Sequence, residues 1–180
     1  MKRRSSIKSL FWGLLSGSLL APRVTHAAVY LSVGQAQQSI FGGAGMSKKD
    51  ITLTAEQVRA IQAAAGTRVR NTRLQAWKVS NGGWFIVDQV IGKHENIDIA
   101  VGLGSDGRVR GMEILVYRES YGHEVRDARW RSQFSGKGPG TKLRLGKDIK
   151  NISGATLSCD HITTAVNRLT QTWQVALRHL

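Results

Sequence analysis

The residues best suited to chemistry lie in the stretch ISGATLS, residues 152–158, just before the last predicted helix. Three small residues, Ser153, Gly154 and Ala155, come directly before Thr156. A helix N-terminus presents backbone N–H groups without intrahelical partners and a partial positive charge, so it favours phosphate. Small residues let an anion approach the backbone, and Thr156 adds a hydroxyl. The stretch predicts a phosphate-bearing ligand, and the alternative is that one of its hydroxyl side chains only caps the helix.

Positive charge lies close to this stretch and is a property of the whole chain. Five basic residues just upstream add positive potential: Lys137, Lys142, Arg144, Lys147 and Lys150. The 180 residues carry a formal charge of +14, and because five basic residues and no acidic ones lie in residues 1–27, the remainder carries +9. A strongly basic protein favours anionic partners: nucleic acid, an acidic membrane surface or a phosphate-bearing ligand.

Residues 1–27 have the pattern of a secretory signal peptide. Basic residues come first, residues 10–21 form an apolar run, and Thr25–Ala27 predict cleavage after Ala27. The apolar run is shorter than the roughly 20 residues that span a membrane, and an uncleaved membrane anchor is the alternative. We therefore expect a periplasmic or otherwise extracytoplasmic protein, for which nucleic acid is the poorest of the anionic partners. The arginine pair at Arg3 leaves the choice between Sec and twin-arginine export open.

Cysteine and histidine give no sign of a metal site. The single cysteine, Cys159, excludes an intramolecular disulfide and a cysteine-based metal cage, and we expect it to pack at the first turn of the last helix. The histidines His94, His123 and His161 do not have the spacing of metal ligands. The sequence also contains neither a GxGxxG motif nor a P-loop.

The periodicity of apolar residues predicts an α+β fold, with a small antiparallel sheet packed against helices. Residues 28–53 are expected to form an N-terminal arm, which begins with a short strand or extended segment and continues with a helical pattern at residues 32–41 that Gly34 weakens. Residues 54–180 are expected to form the domain itself. Thr54 and Gln57 have the spacing of a capping box at the start of a helix that ends before Gly66.

Three or four strands follow, and then a surface segment and a final helix. The strands are predicted at residues 74–79, 84–91, 96–103 and 109–117, and a short helix at about 124–134. The last helix is predicted from about residue 158 to residue 179. Its apolar positions, spaced by three and four residues, form one face: Ile162, Val166, Leu169, Trp173 and Ala176.

Several blocks of this sequence together resemble a known family. They are Ser-Gly-Ala-Thr at 153–156 before an amphipathic helix, GRVRGMEILVYRE at 107–119 followed by SYGHEVR, and LRLGKDIKNISGAT at 143–156. Trp130, Phe134, Gly136 and Lys137 fit the segment between them. The chain is similar to FMN-binding domains, which include the covalent-flavin subunits of sodium-pumping NADH:quinone reductases and Rnf-type complexes, and small exported flavoproteins. The similarity covers about residues 80–180, and more loosely 54 onward.

The resemblance implies a covalent flavin. In that family a flavin transferase, with FAD as donor, links FMN through a phosphoester to the threonine that corresponds to Thr156, within a motif that includes Ser153, Gly154 and Ala155. Many members carry an acidic residue where this chain has Lys150, and whether Asp148 substitutes is left open. Ser120-Tyr121-Gly122 replaces the Thr-Pro-Gly of the large complexes and resembles the small exported proteins more closely.

Four further residues are candidates for cofactor binding. Glu119 approaches the flavin, by the resemblance, or is a surface carboxylate paired with Arg118 or Arg126. Tyr121 stacks on the flavin ring or packs ordinarily. Gly122 serves backbone geometry. Lys137 contacts the phosphate or the polar edge of the flavin, or is a solvated lysine.

The sequence therefore predicts an exported FMN-binding electron-transfer protein with FMN on Thr156. Because neither a substrate pocket nor an acid–base pair is recognisable, we expect an electron carrier rather than a complete enzyme. The resemblance implies a flavin transferase, and a membrane redox protein or cytochrome, as partners; peripheral membrane contact is compatible with the charge. Two alternatives are left open: a non-redox basic module for anionic surfaces, and a flavin-dependent reductase of a small substrate.

Overall fold

The computed structural model describes residues 28–180, and the expected signal peptide, residues 1–27, lies outside the described residues. The strands are β1 Ala28–Val29, β2 Met46–Thr52, β3 Arg73–Val79, β4 Trp84–Ile91, β5 Asn96–Leu103 and β6 Val109–Tyr117. The helices are α1 Val33–Phe41, α2 Ala55–Ala65, α3 Ala128–Arg131 and α4 Thr156–Thr172, and α4 continues into a π-helical turn at Trp173–Leu177. Among the described residues, none of the helices has the length and apolarity needed to cross a membrane.

All strands join one antiparallel sheet in the order β1-β6-β5-β4-β3-β2. The α+β fold predicted from the sequence is therefore confirmed, and so are its four strands, β3 to β6. Helix α2 has the predicted capping box between Thr54 and Gln57, and it ends at Gly66 in the left-handed conformation. The hairpin between β4 and β5 places its turn, residues 92–95, at the same end of the sheet as the end of β6, because Ile97 pairs with Tyr117.

The main core lies between the sheet and the pair α2 and α4. Helix α4 buries Ile162, Val166 and Leu169 against the sheet, and each buried side chain of this size contributes roughly 1.5–3 kcal/mol. The start of α4 is thereby held rigidly beside the end of β6. Helix α1 packs on the opposite face of the sheet, where Ala36 and Phe85 belong to a second, smaller apolar cluster.

The N-terminal segment departs from the expected arm, since β1, α1 and β2 all belong to the fold. The sheet has six strands rather than three or four. Strand β2 escaped prediction because it is an edge strand with mostly exposed residues, so it lacks apolar alternation. Helix α1 tolerates Gly34 because Ser32 and Gln35 form a complete capping box.

The surface segment after β6 differs from the single short helix that was expected at 124–134. It consists of a 3-10 turn at His123–Arg126, the four-residue helix α3, and a second 3-10 turn at Ser132–Phe134. Trp130 and Phe134 are buried and pack edge to face, which anchors the segment to the core. The chain then returns to α4, which begins at Thr156, two residues earlier than predicted.

Candidate functional site

The N-terminus of α4 is not capped by any side chain. Ala155 occupies the N-cap position, and its side chain makes no capping hydrogen bond. The Thr156 hydroxyl accepts a hydrogen bond from Asn151 Nδ2 at 2.9 Å and is exposed. Capping as the role of this stretch is therefore wrong, because the first N–H groups of the helix keep their capacity to bind an anion. Gly154, in the left-handed conformation with φ of 81°, has open space where a side chain would stand.

A cavity of about 350 Å³ opens at this helix terminus. Its walls come from three parts of the chain: the β4–β5 turn, the loop after β6, and the start of α4. The lining residues are Lys93, His94, Glu119, Ser120, Tyr121, Gly154, Ala155, Thr156, Leu157 and Ser158. The structure thus brings together five of the residues predicted from the sequence, namely Glu119, Tyr121, Gly154, Ala155 and Thr156. Ser153 is exposed on the turn that leads into the cavity but does not line it.

Glu119 closes the β4–β5 turn. Its Oε1 accepts hydrogen bonds from the backbone N–H groups of His94, at 2.5 Å, and Glu95, at 3.0 Å. Burial acts to raise the pKa of Glu119, but backbone donors in the turn, Glu95 first, outweigh it and hold the pKa below its ordinary value. Pairing with Arg118 or Arg126 is wrong for this carboxylate, because Arg118 pairs instead with Asp98 at 2.8 Å and the Arg126 guanidinium lies over the Tyr30 ring at 4.9 Å.

Tyr121 and Gly122 form the loop that faces the start of α4. The Tyr121 ring is 78% exposed, so ordinary core packing does not explain it. Its backbone carbonyl accepts a hydrogen bond from the buried Tyr117 hydroxyl at 2.6 Å, and burial raises the pKa of Tyr117. Gly122 has φ of 85°, and a Cβ at this position would overlap the Cβ of Ala155. Gly122 and Ala155 are therefore small so that loop and helix can touch.

Lys137 lies elsewhere, at the opposite end of β6. Its backbone pairs with Val109 and Phe134, whereas the cavity adjoins the far end of this nine-residue strand, roughly 30 Å away. The lysine in the cavity wall is instead Lys93, which no motif in the sequence singles out. The position of Lys93 could have been predicted from the antiparallel order of the strands, because that order places the turn at 92–95 beside residues 118–121.

Hydrogen bonds to the backbone fix the segment that precedes the Ser-Gly-Ala-Thr motif. Lys150 donates its N–H to Gln133 Oε1 at 2.8 Å, and its carbonyl accepts from Trp130 Nε1 at 2.7 Å. Asp148 accepts from the backbone N–H of Arg144 at 2.9 Å and does not line the cavity. Both Lys150 and Asp148 thus lie outside the residues that line the cavity.

Cys159 lies one turn into α4, and its packing role is confirmed. It is fully buried, and burial raises the pKa of its thiol. A thiol that stays protonated and inaccessible is unsuited to redox exchange.

A larger cleft, of about 650 Å³, lies elsewhere along the sheet. None of the site residues predicted from the sequence lines it. Its polar walls are largely satisfied internally, since Asp98 pairs with Arg118, and Arg73 pairs with Asp50 at 3.1 Å. The chemistry predicted from the sequence therefore belongs to the smaller cavity.

The cavity lies within the segment of the chain that matches a known protein family. Residues 92–171 match the family model of the FMN-binding domain, and all the lining residues of the cavity fall within that range. No curated protein matches the chain. The crystal structure of Shewanella oneidensis NqrC is similar at 15% identity and a TM-score of 0.40, over 83% of this chain and 73% of that one. The family predicted from the sequence therefore agrees with the family model that residues 92–171 match.

Proposed function

We propose that the protein is an extracytoplasmic electron carrier whose FMN is linked by a phosphoester to Thr156. One observation carries the proposal: an exposed threonine hydroxyl stands at an uncapped helix N-terminus, inside a cavity of the segment that matches FMN-binding domains. The covalent bond, the location and the partners are parts of the proposal.

The residues at the start of α4 fit the phosphate end of FMN. The free N–H groups of the first helical turn, together with the helix dipole, favour a phosphate at the Thr156 side chain. The open space at Gly154 lets the phosphate approach the backbone. Lys93, in the wall of the same cavity, adds positive charge.

The other end of the cavity fits an aromatic ring system. Tyr121 is 78% exposed and Leu157 is 47% exposed, and both line the cavity. Two exposed apolar surfaces beside a phosphate site suit a flat ring with a phosphate tail. The Tyr117 hydroxyl donates a hydrogen bond to the Tyr121 carbonyl, which anchors the backbone that carries the ring. Bound FMN would supply reversible electron transfer.

We infer an electron carrier rather than a complete enzyme. Glu119, its only carboxylate, is engaged by backbone N–H groups and has a lowered pKa, so it is a poor proton donor. A carrier needs only an accessible cofactor and partners that dock beside it. We infer that these are a flavin transferase for maturation, and a membrane redox protein or a cytochrome as donor or acceptor.

Intact mass of the denatured protein tests the attachment. Wild-type protein coproduced with a flavin transferase, in an exported form, should gain the mass of FMN less one water, on the peptide that contains Thr156. Thr156→Val should lose the gain entirely while the fold persists. Thr141→Val, at another exposed threonine, is the matched control and should retain the gain. Full gain in Thr156→Val would contradict the proposal.

The basic charge favours a second candidate, a non-redox module that binds anionic surfaces. Residues 28–180 keep a charge of +9, which supports salt-dependent binding to such surfaces. An unmodified wild-type mass in the presence of active transferase, together with salt-sensitive binding to vesicles of anionic lipid, would favour this candidate.

A further inference from the structure

Thr156 has one side-chain partner among the described residues, and that partner is Asn151. The Nδ2 of Asn151 donates to Thr156 Oγ1 at 2.9 Å, across five residues of sequence and at the surface. Asn151 is not a residue that the motif singles out. Its amide nevertheless reaches the one oxygen that the proposed attachment uses.

The backbone around Asn151 is anchored on both sides. Before it, Ile149 is fully buried, and both polar backbone groups of Lys150 are hydrogen-bonded to side chains of the α3 region. After it, the carbonyl of Ile152 accepts from the N–H of Ala155 at 3.0 Å. When the backbone is already fixed, a side-chain hydrogen bond costs only the conformational entropy of that side chain. The Asn151 amide is therefore a preorganised donor rather than a chance surface contact.

We propose that Asn151 is a positioning residue for flavin attachment, an inference that rests on the proposed function. Its donated hydrogen bond holds Thr156 Oγ1 in one rotamer at the cavity and leaves the hydroxyl proton free. In the transfer from FAD, the Thr156 Oγ–P bond forms and the P–O bond of the diphosphate breaks. AMP leaves, and the hydroxyl proton passes to a general base of the transferase. Electrons and atoms balance without a redox partner.

The direction of the hydrogen bond is what distinguishes this role. An amide N–H can donate to the oxygen both before and after the ester forms, because the ester oxygen still accepts. A carboxylate of the same size can only accept, and its charge would repel the phosphate. Asn151→Asp therefore keeps the size of the side chain but loses the donor.

The initial rate of FMN incorporation tests the proposal, measured by intact mass with purified protein, flavin transferase and FAD. Asn151→Ala and Asn151→Asp should both lower the rate about tenfold, which corresponds to about 1.4 kcal/mol. Asn81→Ala is the matched control, because Asn81 is also exposed and its side chain also makes one local hydrogen bond, accepting from the backbone N–H of Gly83 in the β3–β4 turn, far from the cavity. It should keep the wild-type rate.

Thermal unfolding of each variant separates positioning from folding. The unfolding midpoint of Asn151→Asp should match that of the wild type while its rate falls. A wild-type rate in Asn151→Asp or in Asn151→Ala would overturn the positioning role, as would a rate loss that tracks the midpoint in both variants. A wild-type protein that gains no FMN, or gains it away from Thr156, would instead refute the proposed function.

Discussion

Gly122→Ala tests whether the loop after β6 and the start of α4 must touch. Gly122 has φ of 85°, a conformation that costs a residue with a Cβ about 1 kcal/mol. The added Cβ would also overlap the Ala155 Cβ and lie 2.7 Å from the Tyr117 hydroxyl oxygen. Overpacking of this kind costs about 1–3 kcal/mol. We expect the free energy of unfolding to fall by about 2–4 kcal/mol.

Gly136→Ala is the matched control for the backbone term. Gly136 has φ of 75° and has nothing within 4 Å of an added Cβ, so it should lose only about 1 kcal/mol. The difference between the two variants isolates the clash. Urea unfolding followed by tryptophan fluorescence measures both free energies on the same scale.

Ala155→Gly in the Gly122→Ala background then identifies the clashing atom. Removing the Ala155 methyl should recover about 1 kcal/mol or more of the loss, because the two Cβ atoms no longer overlap. Ala155→Gly alone supplies the fourth corner of the cycle. A loss in Gly122→Ala no larger than in Gly136→Ala, or a cycle without coupling, would refute the contact between loop and helix.

Three further predictions concern charged and buried groups. Glu119→Gln should lower the free energy of unfolding by about 1–2 kcal/mol at neutral pH, since it loses the charge on a hydrogen-bonded acceptor. Because the folded-state pKa of Glu119 is lowered, its contribution is complete above the ordinary value of 4.5 and is lost as pH falls below that value, so the two unfolding midpoints should converge in acid; a constant gap would contradict this. Asp88→Asn should cost about 2–4 kcal/mol in urea unfolding, because it removes the carboxylate that pairs with buried Arg168; a loss under about 0.5 kcal/mol would show that the pair is not needed. The Cys159 thiol should react with an alkylating reagent only on unfolding, as followed by intact mass, and rapid modification of the native protein at neutral pH would oppose its burial.

The regular elements were predictable where one local signal dominated. Strands β4 and β5 could be read from apolar runs bounded by turn residues, and α2 from a capping box and a C-terminal glycine. Strand β2 could not, because its stability comes from pairing with β3 rather than from its own apolar pattern. The segment at 124–134 was too short and too polar to show that its helix would be broken.

The site was predictable only in part. Thr156 and its small neighbours stood out because the stretch is unusual and opens a helix. Lys137 was assigned to the site by resemblance, yet the nine residues of β6 separate it from the cavity. Lys93 lies about sixty residues before Thr156, and only the β4–β5 hairpin brings it to the same place. The role of Asn151 could not be predicted, because a single exposed asparagine belongs to no sequence motif or periodic pattern.

The sequence by itself determined the α+β class, four of the six strands, the resemblance to FMN-binding domains and the threonine that we propose to carry the flavin. These features depend on local periodicity and on short motifs, and both are visible in residues that are close together in the sequence. The tertiary structure alone decided that Glu119 closes a turn, that Gly122 meets Ala155, and that an asparagine holds the Thr156 hydroxyl. Each of these depends on contacts between elements, and such contacts follow from strand register and helix packing rather than from neighbouring residues.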